Sequence, residues 1–127
     1  MNPSTAEWVS KAEGDFATAE REVGVTVNPN YDAVCFHAQQ CAEKYLKARL
    51  QEAGVPFGKT HDLPTLLNLA LAVERTWGTL LGDMQTLSSY AVAYRYPGGG
   101  SASDKDAEEA LEKCRNFREI ARKSLGL

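Results

Sequence analysis

The sequence predicts an all-α protein, an up-and-down bundle of four main helices and one shorter helix. Apolar residues recur at three- and four-residue steps along most of the chain, and helix start and stop signals separate the periodic segments. No segment of four or more residues alternates between apolar and polar residues as a strand does. The length of 127 residues suits a single domain covering residues 1–127.

The first two predicted helices carry most of the apolar pattern. A capping box formed by Ser4 and Glu7 is expected to begin the first helix, and Gly24 to end it. The second helix is expected from about Asn30 to Ala53, with Asn28-Pro29 as its start signal. Two apolar stripes predict that it packs on more than one side, as a central helix does. These stripes are Val34, Ala38, Cys41, Tyr45 and Ala48, and Cys35, Ala42, Leu46 and Leu50.

The third and fourth predicted helices follow a short linker. Asp62 is expected to cap the third helix, whose first turn tolerates Pro64 and whose pattern runs through LPTLLNLALAVE. A break is expected near residues 76–78. The fourth helix is expected to end near Arg95, because Pro97 disfavours helical geometry in the residue before it.

The last predicted helix follows a glycine-rich stretch, GGGSAS, which is expected to be a flexible loop. Ser103 and Asp106 can cap this fifth helix. Acidic residues crowd its first turn and basic residues its last, an order that complements the helix dipole.

Composition excludes several classes of protein. The formal net charge is −3, which does not favour an extended nucleic-acid interface. The apolar run at residues 66–73 is too short to span a bilayer, and the first residues do not resemble a secretory signal. The three cysteines have no CxxC spacing, so we expect them to be small buried residues in a cytoplasmic protein. The two histidines lie on different predicted elements, so neither a metal site nor a cofactor is expected.

One face of the second helix carries polar residues that could line a cleft. His37, Gln40, Lys44 and Lys47 are spaced three or four apart and therefore share a face. They form either a solvated stripe with a half-buried histidine or one wall of a functional cleft.

The KTHDL segment also has two interpretations. Asp62 or its neighbours His61 and Thr60 can cap the third helix. Alternatively, Lys59 and the helix N-terminus could bind a phosphate.

The segment Tyr94-Arg95-Tyr96-Pro97 is the strongest candidate for ligand binding. Arginine offers a planar fork of donors for a phosphate, and tyrosine offers a face on which a base can stack. The structural alternative is that Arg95 bonds the last carbonyls of its helix while the tyrosines complete the core.

Four segments in register resemble the HEPN domain family (higher eukaryote and prokaryote nucleotide-binding). YDAVCFHAQQCAEKYLKA, residues 31–48, is similar to the central-helix signature of the family. THDL at residues 60–63 and RYP at 95–97 match two further motifs, and WVSKAEGDF at 8–16 fits the opening of the domain.

The resemblance implies a bundle like that of nucleotidyltransferase substrate-binding subunits, and a protein that commonly dimerises. Stand-alone bacterial members often pair with a minimal nucleotidyltransferase, in modules that resemble toxin–antitoxin pairs. Some are metal-independent ribonucleases that use an arginine and a histidine four to six residues later. Arg95 matches that arginine, but no histidine follows it in this chain.

The resemblance therefore implies a homodimeric subunit that binds a nucleotide, phosphate or RNA and interacts with a nucleotidyltransferase. The expected ligand-binding residues are His37, Gln40, Lys44, His61, Arg95 and Tyr96. Two alternatives remain: a ribonuclease that combines Arg95 with a displaced histidine such as His37, and a purely structural dimerisation domain.

Overall fold

A computed structural model describes all residues, 1–127, and contains five α-helices and no strand. The helices are α1 (Pro3–Val23), α2 (Tyr31–Ala53), α3 (Leu63–Ala70), α4 (Leu81–Ala93) and α5 (Asp104–Ser124), with a 3₁₀ helix at Arg75–Leu80. The predicted bundle of four main helices and one shorter helix, α3, is confirmed. No helix of the chain is both long enough and apolar enough to cross a membrane.

Helix α2 is the central element, as its two apolar stripes predict. It contacts all four other α-helices, and every residue of both stripes is buried. Its N-cap is Asn30, whose Oδ1 accepts a hydrogen bond from the Ala33 amide at 3.0 Å. Pro29 therefore precedes the helix instead of occupying its first turn. Gly54 ends α2 with a φ of 70°, a left-handed conformation that costs glycine little.

The predicted start of α1 is wrong. Asn2, not Ser4, is the N-cap: its Oδ1 accepts a hydrogen bond from the Thr5 amide at 2.8 Å. Pro3 occupies the first helical position, where the missing N–H would have no partner in any case. Gly24 ends the helix as expected.

Helix α3 is shorter than its apolar run predicts. Asp62 caps it, accepting a hydrogen bond from the Thr65 amide at 3.0 Å, and Pro64 lies in its first turn. The α-helix nevertheless ends at Ala70, four residues before the end of the predicted pattern. The tighter turns that follow lead into the 3₁₀ helix, which buries Trp77 with its ring edge-on to Phe117 at 5.3 Å. Burial of that ring favours the turn over a longer helix.

The connection between α4 and α5 is a turn that needs glycine at one position for reasons of space. A Cβ atom on Gly99 would lie 1.9 Å from the carbonyl oxygen of Ala93. The Gly99 amide also donates a hydrogen bond to the Tyr96 carbonyl at 3.3 Å. The expected capping box at the start of α5 is confirmed, since Ser103 and Asp106 bond each other's backbone amides at 3.1 Å.

The three cysteines are free and buried, as expected. Burial, with Asp106 and Asp32 nearby, raises the pKa of Cys35 to about 12. A hydrogen bond with Cys114, together with burial, raises the pKa of Cys41. The Cys35 and Cys41 thiols are therefore protonated at neutral pH, and all three buried cysteines pack as small apolar groups.

Candidate functional site

A cleft of about 340 Å³ lies between α2, α4 and the loop that precedes α3. It contains Gln40, His61 and Arg95, three of the six residues that the sequence predicted for ligand binding. The full lining is Phe36, Gln39, Gln40, His61, Asp62, Ser88, Ala91, Val92 and Arg95. The volume falls in the range that small-molecule sites occupy.

Arg95 is the cation of this cleft. Its guanidinium forms no ion pair and no hydrogen bond with the protein, so it does not bond the carbonyls at the end of α4 as the structural alternative required. Its carbon Cζ lies 5.8 Å from the centre of the Phe36 ring and 5.9 Å from that of Tyr96. Arg95 also borders a second cleft, of about 350 Å³, formed with Asn30, Asp32, Ala33, Phe36, Tyr90, Ala91 and Tyr94.

Tyr96 lies at the edge of the site. The residue is 66% exposed and its ring lies beside the Arg95 guanidinium, but it does not line either cleft. Tyr94, in contrast, points back to the protein and donates a hydrogen bond to Asp106 at 2.9 Å, which raises the pKa of its phenol. The two tyrosines that flank Arg95 therefore have different roles: Tyr94 fixes the end of α4, whereas Tyr96 remains open to solvent.

His37 and Lys44 do not join the cleft. His37 Nδ1 lies 2.7 Å from Oδ1 of Asp15 on α1, and Lys44 bonds the other oxygen of the same carboxylate. The half-buried histidine is thus part of the contact between α1 and α2. The predicted polar face of α2 exists, but tertiary contacts divide it between this contact and the cleft.

A network of hydrogen bonds connects buried polar side chains of α2 with residues that line the cleft. Gln40 Nε2 donates to Oε1 of Gln39 at 2.7 Å, and Gln39 Nε2 donates to Glu43 and to the backbone carbonyl of His61, each at 3.3 Å. Oε2 of Glu43 is 3.0 Å from His61 Nδ1 and accepts a hydrogen bond from Lys47 Nζ at 3.1 Å.

Sequence reasoning missed Gln39 and Glu43, although both lie inside the recognised HAQQ and AEK motifs. A signal was present, because both polar residues lie among the mostly apolar residues of the buried side of α2. Ser88 was also missed as a cleft residue: its Oγ is buried and has no hydrogen-bond partner in the protein. Buried hydroxyls are usually bonded, so this unpartnered one is an exception.

Lys59 belongs to a different surface. Together with Trp8, Lys47, Phe57, Gly58 and His61 it lines a cleft of about 420 Å³. Asp62 caps α3, which confirms the structural interpretation of the KTHDL segment for that residue. No group of three or more His, Cys, Asp or Glu side chains is placed to hold a metal ion.

Comparison with known proteins agrees with the geometry of the bundle. The chain is similar to the crystal structure of TT1696 from Thermus thermophilus, with a TM-score of 0.79 and 25% identity over 94% of this chain and 96% of that one. It is also similar in fold to ST0689, an archaeal HEPN homologue, with a TM-score of 0.75 and 21% identity over 94% and 96% of the two chains. No curated protein matches the sequence.

The sequence profile of the family described as HEPN domain matches residues 5–124, which include all five helices apart from the first two residues of α1. The match spans the central-helix, THDL and RYP segments in order. This chain is a member of the HEPN domain family.

Proposed function

We propose that this HEPN protein is a dimerising interaction subunit that binds a nucleotide or phosphate group at Arg95 and works with a minimal nucleotidyltransferase. The observation that carries the proposal is the unpaired Arg95 guanidinium in a cleft that Phe36 lines, with the centre of the exposed Tyr96 ring 5.9 Å from the guanidinium carbon Cζ. Arginine binds phosphate oxygens through two parallel N–H donors, and the rings offer apolar faces to a base.

The state of the other arginines strengthens the argument for Arg95. Four of the other six are committed to ion pairs with carboxylates, and two form no ion pair but lie outside both clefts: the paired ones are Arg49, Arg115, Arg118 and Arg122, and the others are Arg21 and Arg75. Because a paired guanidinium has already been neutralised, it contributes less attraction to an anion. Arg95 keeps its full charge and all of its donors for a ligand.

Neighbouring polar groups can complete the site. Gln40 lines the cleft from α2, Ser88 lines it from α4, and His61 lies on the loop before α3. Asp62 is the one carboxylate in the lining, and the Thr65 amide and hydroxyl both bond its Oδ2. The cleft therefore has donors in excess over charged acceptors, as an anion site requires.

Dimerisation is supported by apolar residues exposed around the same cleft. Val92 on α4 is 69% exposed, and Tyr96 just beyond the helix is 66% exposed. Exposed apolar side chains favour an interface when they form one patch. A dimer through this surface would enclose Arg95, which would strengthen its attraction to an anion. Sedimentation of the full chain tests this, with Val92→Asp expected to shift a dimer to a monomer.

The nucleotidyltransferase partner and a toxin–antitoxin-like role are supported by family membership. We propose that the protein acts in the cytoplasm, because the three buried free thiols suit a reducing compartment. We also propose that one domain spans residues 1–127. Co-expression with a nucleotidyltransferase encoded by an adjacent gene tests the pairing. A complex that survives size-exclusion chromatography is expected, and two separately eluting proteins would contradict it.

A ribonuclease is the second candidate, because His61 and Arg95 line one cleft. His61 is placed better than His37, which is bonded to Asp15 on α1. In this mechanism Arg95 stabilises the charge on the phosphorane while the histidine moves the proton of the 2′-hydroxyl. Incubation of the protein with single-stranded RNA tests it: cleavage lost in His61→Asn supports it, and intact RNA at high protein concentration contradicts it.

The binding proposal is tested by titrating the full chain with adenosine 5′-monophosphate and with inorganic phosphate. Saturable binding is expected for the nucleotide. A chain that dimerises normally but binds neither compound would instead be the purely structural dimerisation domain.

A further inference from the structure

The buried carboxylate of Glu43 is unusual in having the nitrogen atoms of three different side chains around it. Glu43 lies on α2 with its side chain 3% exposed. Its Oε1 accepts a hydrogen bond from Gln39 at 3.3 Å, while its Oε2 accepts one from Lys47 at 3.1 Å and lies 3.0 Å from Nδ1 of His61. A buried charge is tolerated only when it has such partners. The partners stabilise the carboxylate, and the carboxylate in turn holds each of them in place.

His61 is the exposed member of this network. Its side chain is 75% exposed, yet it is fixed at two points, by Glu43 at the ring and by Gln39 at the backbone carbonyl. Both anchoring residues come from the same turn of α2. An exposed ring would otherwise rotate freely between several rotamers.

The contact with Glu43 determines where the imidazole carries its proton. An ionised carboxylate accepts hydrogen bonds and cannot donate them, so the nitrogen that faces it must carry hydrogen. In the neutral ring this places the proton on Nδ1 and leaves a lone pair on Nε2. In this neutral form His61 presents an acceptor, not a donor, to anything bound beside it.

We propose that Glu43 is a positioning residue that holds His61 in the Nδ1–H form, so that Nε2 accepts a hydrogen bond from a sugar hydroxyl of the ligand bound at Arg95. The inference rests on the proposed binding function and names its ligand class, a sugar phosphate such as a nucleotide. A phosphate group supplies acceptors for Arg95, and the sugar hydroxyls supply a donor for Nε2.

The tautomer is tested without any ligand, by ¹⁵N NMR of the imidazole in the full chain. His37→Asn leaves His61 as the only histidine, since the sequence contains two. At a pH at which the shifts show a neutral ring, we expect a protonated Nδ1 and an unprotonated Nε2. The Glu43→Gln substitution should let the other tautomer appear. A parent ring protonated at Nε2 would overturn the inference.

The ligand class is tested by comparing adenosine 5′-monophosphate with its 2′,3′-dideoxy counterpart. We expect the parent to bind the ribonucleotide about three- to tenfold more tightly, the range for one hydrogen bond. His61→Asn should abolish this preference while binding through Arg95 persists, and Glu43→Gln should reduce it. If Glu43→Gln does not fold, the His61→Asn comparison carries the test.

The two proposals fail in different ways. Equal binding of the two nucleotides by the parent contradicts the hydroxyl contact but leaves the phosphate site at Arg95 intact. If neither nucleotide nor phosphate binds, the proposed function and the ligand class are both wrong. A ring protonated at Nδ1 in the NMR spectrum would then support only the positioning of His61 by Glu43.

Discussion

The hydroxyl of Tyr45 donates a hydrogen bond to Oε2 of Glu13 across 2.6 Å, joining a fully buried ring on α2 to α1. Glu13 also accepts two hydrogen bonds from Arg118 on α5, at 2.7 and 2.6 Å. One carboxylate therefore connects the three longest helices. Burial, and then the hydrogen bond to Glu13, raises the pKa of Tyr45 well above its ordinary value, so the phenol remains a donor.

Removing the Tyr45 hydroxyl should weaken this connection. We expect Tyr45→Phe to lower the free energy of unfolding by about 1–2 kcal/mol, because Arg122 and Glu13 each lose a partner in a half-buried site. Urea denaturation measures the change. Tyr96→Phe is the matched control, since its exposed hydroxyl bonds nothing, and should change stability by less than about 0.5 kcal/mol. Equal losses in the two variants would contradict this account.

Glu13 should also make the stability of the bundle depend on pH. The hydrogen bonds from Arg118 hold the pKa of Glu13 below its ordinary value of 4.5. A carboxyl whose pKa is lowered by folding stabilises the protein fully above its unfolded pKa, and that stabilisation is lost as the pH falls through the folded pKa. The difference in unfolding free energy between the parent and Glu13→Gln should therefore be largest near pH 6 and shrink below pH 4.5.

The control for that titration is Glu119→Gln, because Glu119 is exposed on α5. Its difference from the parent should stay small at every pH. Thermal or urea unfolding between pH 3 and pH 7 provides both curves. A Glu13→Gln difference that is constant over this range would show that the pair with Arg118 contributes nothing.

The buried pair of Lys47 and Glu43 should show strong coupling. Their side chains are 6% and 3% exposed, and Nζ lies 3.1 Å from Oε2. Lys47→Met leaves a buried carboxylate without its main countercharge, at a cost of about 3 kcal/mol. Glu43→Leu combined with Lys47→Met should cost clearly less than the two single losses added together, as a double-mutant cycle by urea denaturation would measure. Additive losses would mean that the pair is not coupled.

Gly99 should be intolerant of a side chain. A Cβ atom there would lie 1.9 Å from the Ala93 carbonyl oxygen, so the turn after Arg95 must move. We expect Gly99→Ala to lower stability by about 1–3 kcal/mol, as overpacking does. Gly58→Ala is the control, because open space surrounds that position. The urea midpoints should separate the two variants; the same midpoint for both would contradict the observed turn.

Local signals predicted the helices of the bundle because each signal acts within a few residues. The two stripes of α2 and the caps at Asp62 and Ser103 depend on helical spacing and on one or two backbone amides. The end of α3 was predicted wrongly because it depends on more distant atoms. The apolar pattern after Ala70 looks like more helix, and only the burial of Trp77 explains why the chain turns.

The site was predicted in part for the same reason. His37, Gln40 and Lys44 share a face of α2, and spacing alone could not reveal that Asp15 on α1 engages the first and the last. Arg95 and His61 were identified through their motifs, but their meeting in one cleft follows from the packing of α2 against α3 and α4. Glu43 was overlooked because a charged residue in a helix is usually on the surface.

The central claim is that Arg95 binds an anionic ligand, and calorimetric titration with adenosine 5′-monophosphate tests it most directly. The parent should bind saturably, and Arg95→Ala should weaken binding at least tenfold, since a charge-assisted contact is worth about 1.5–3 kcal/mol. Arg75→Ala is the matched control, an exposed arginine of the 3₁₀ helix outside the cleft, and should bind as the parent does. Unchanged affinity in Arg95→Ala would contradict the account.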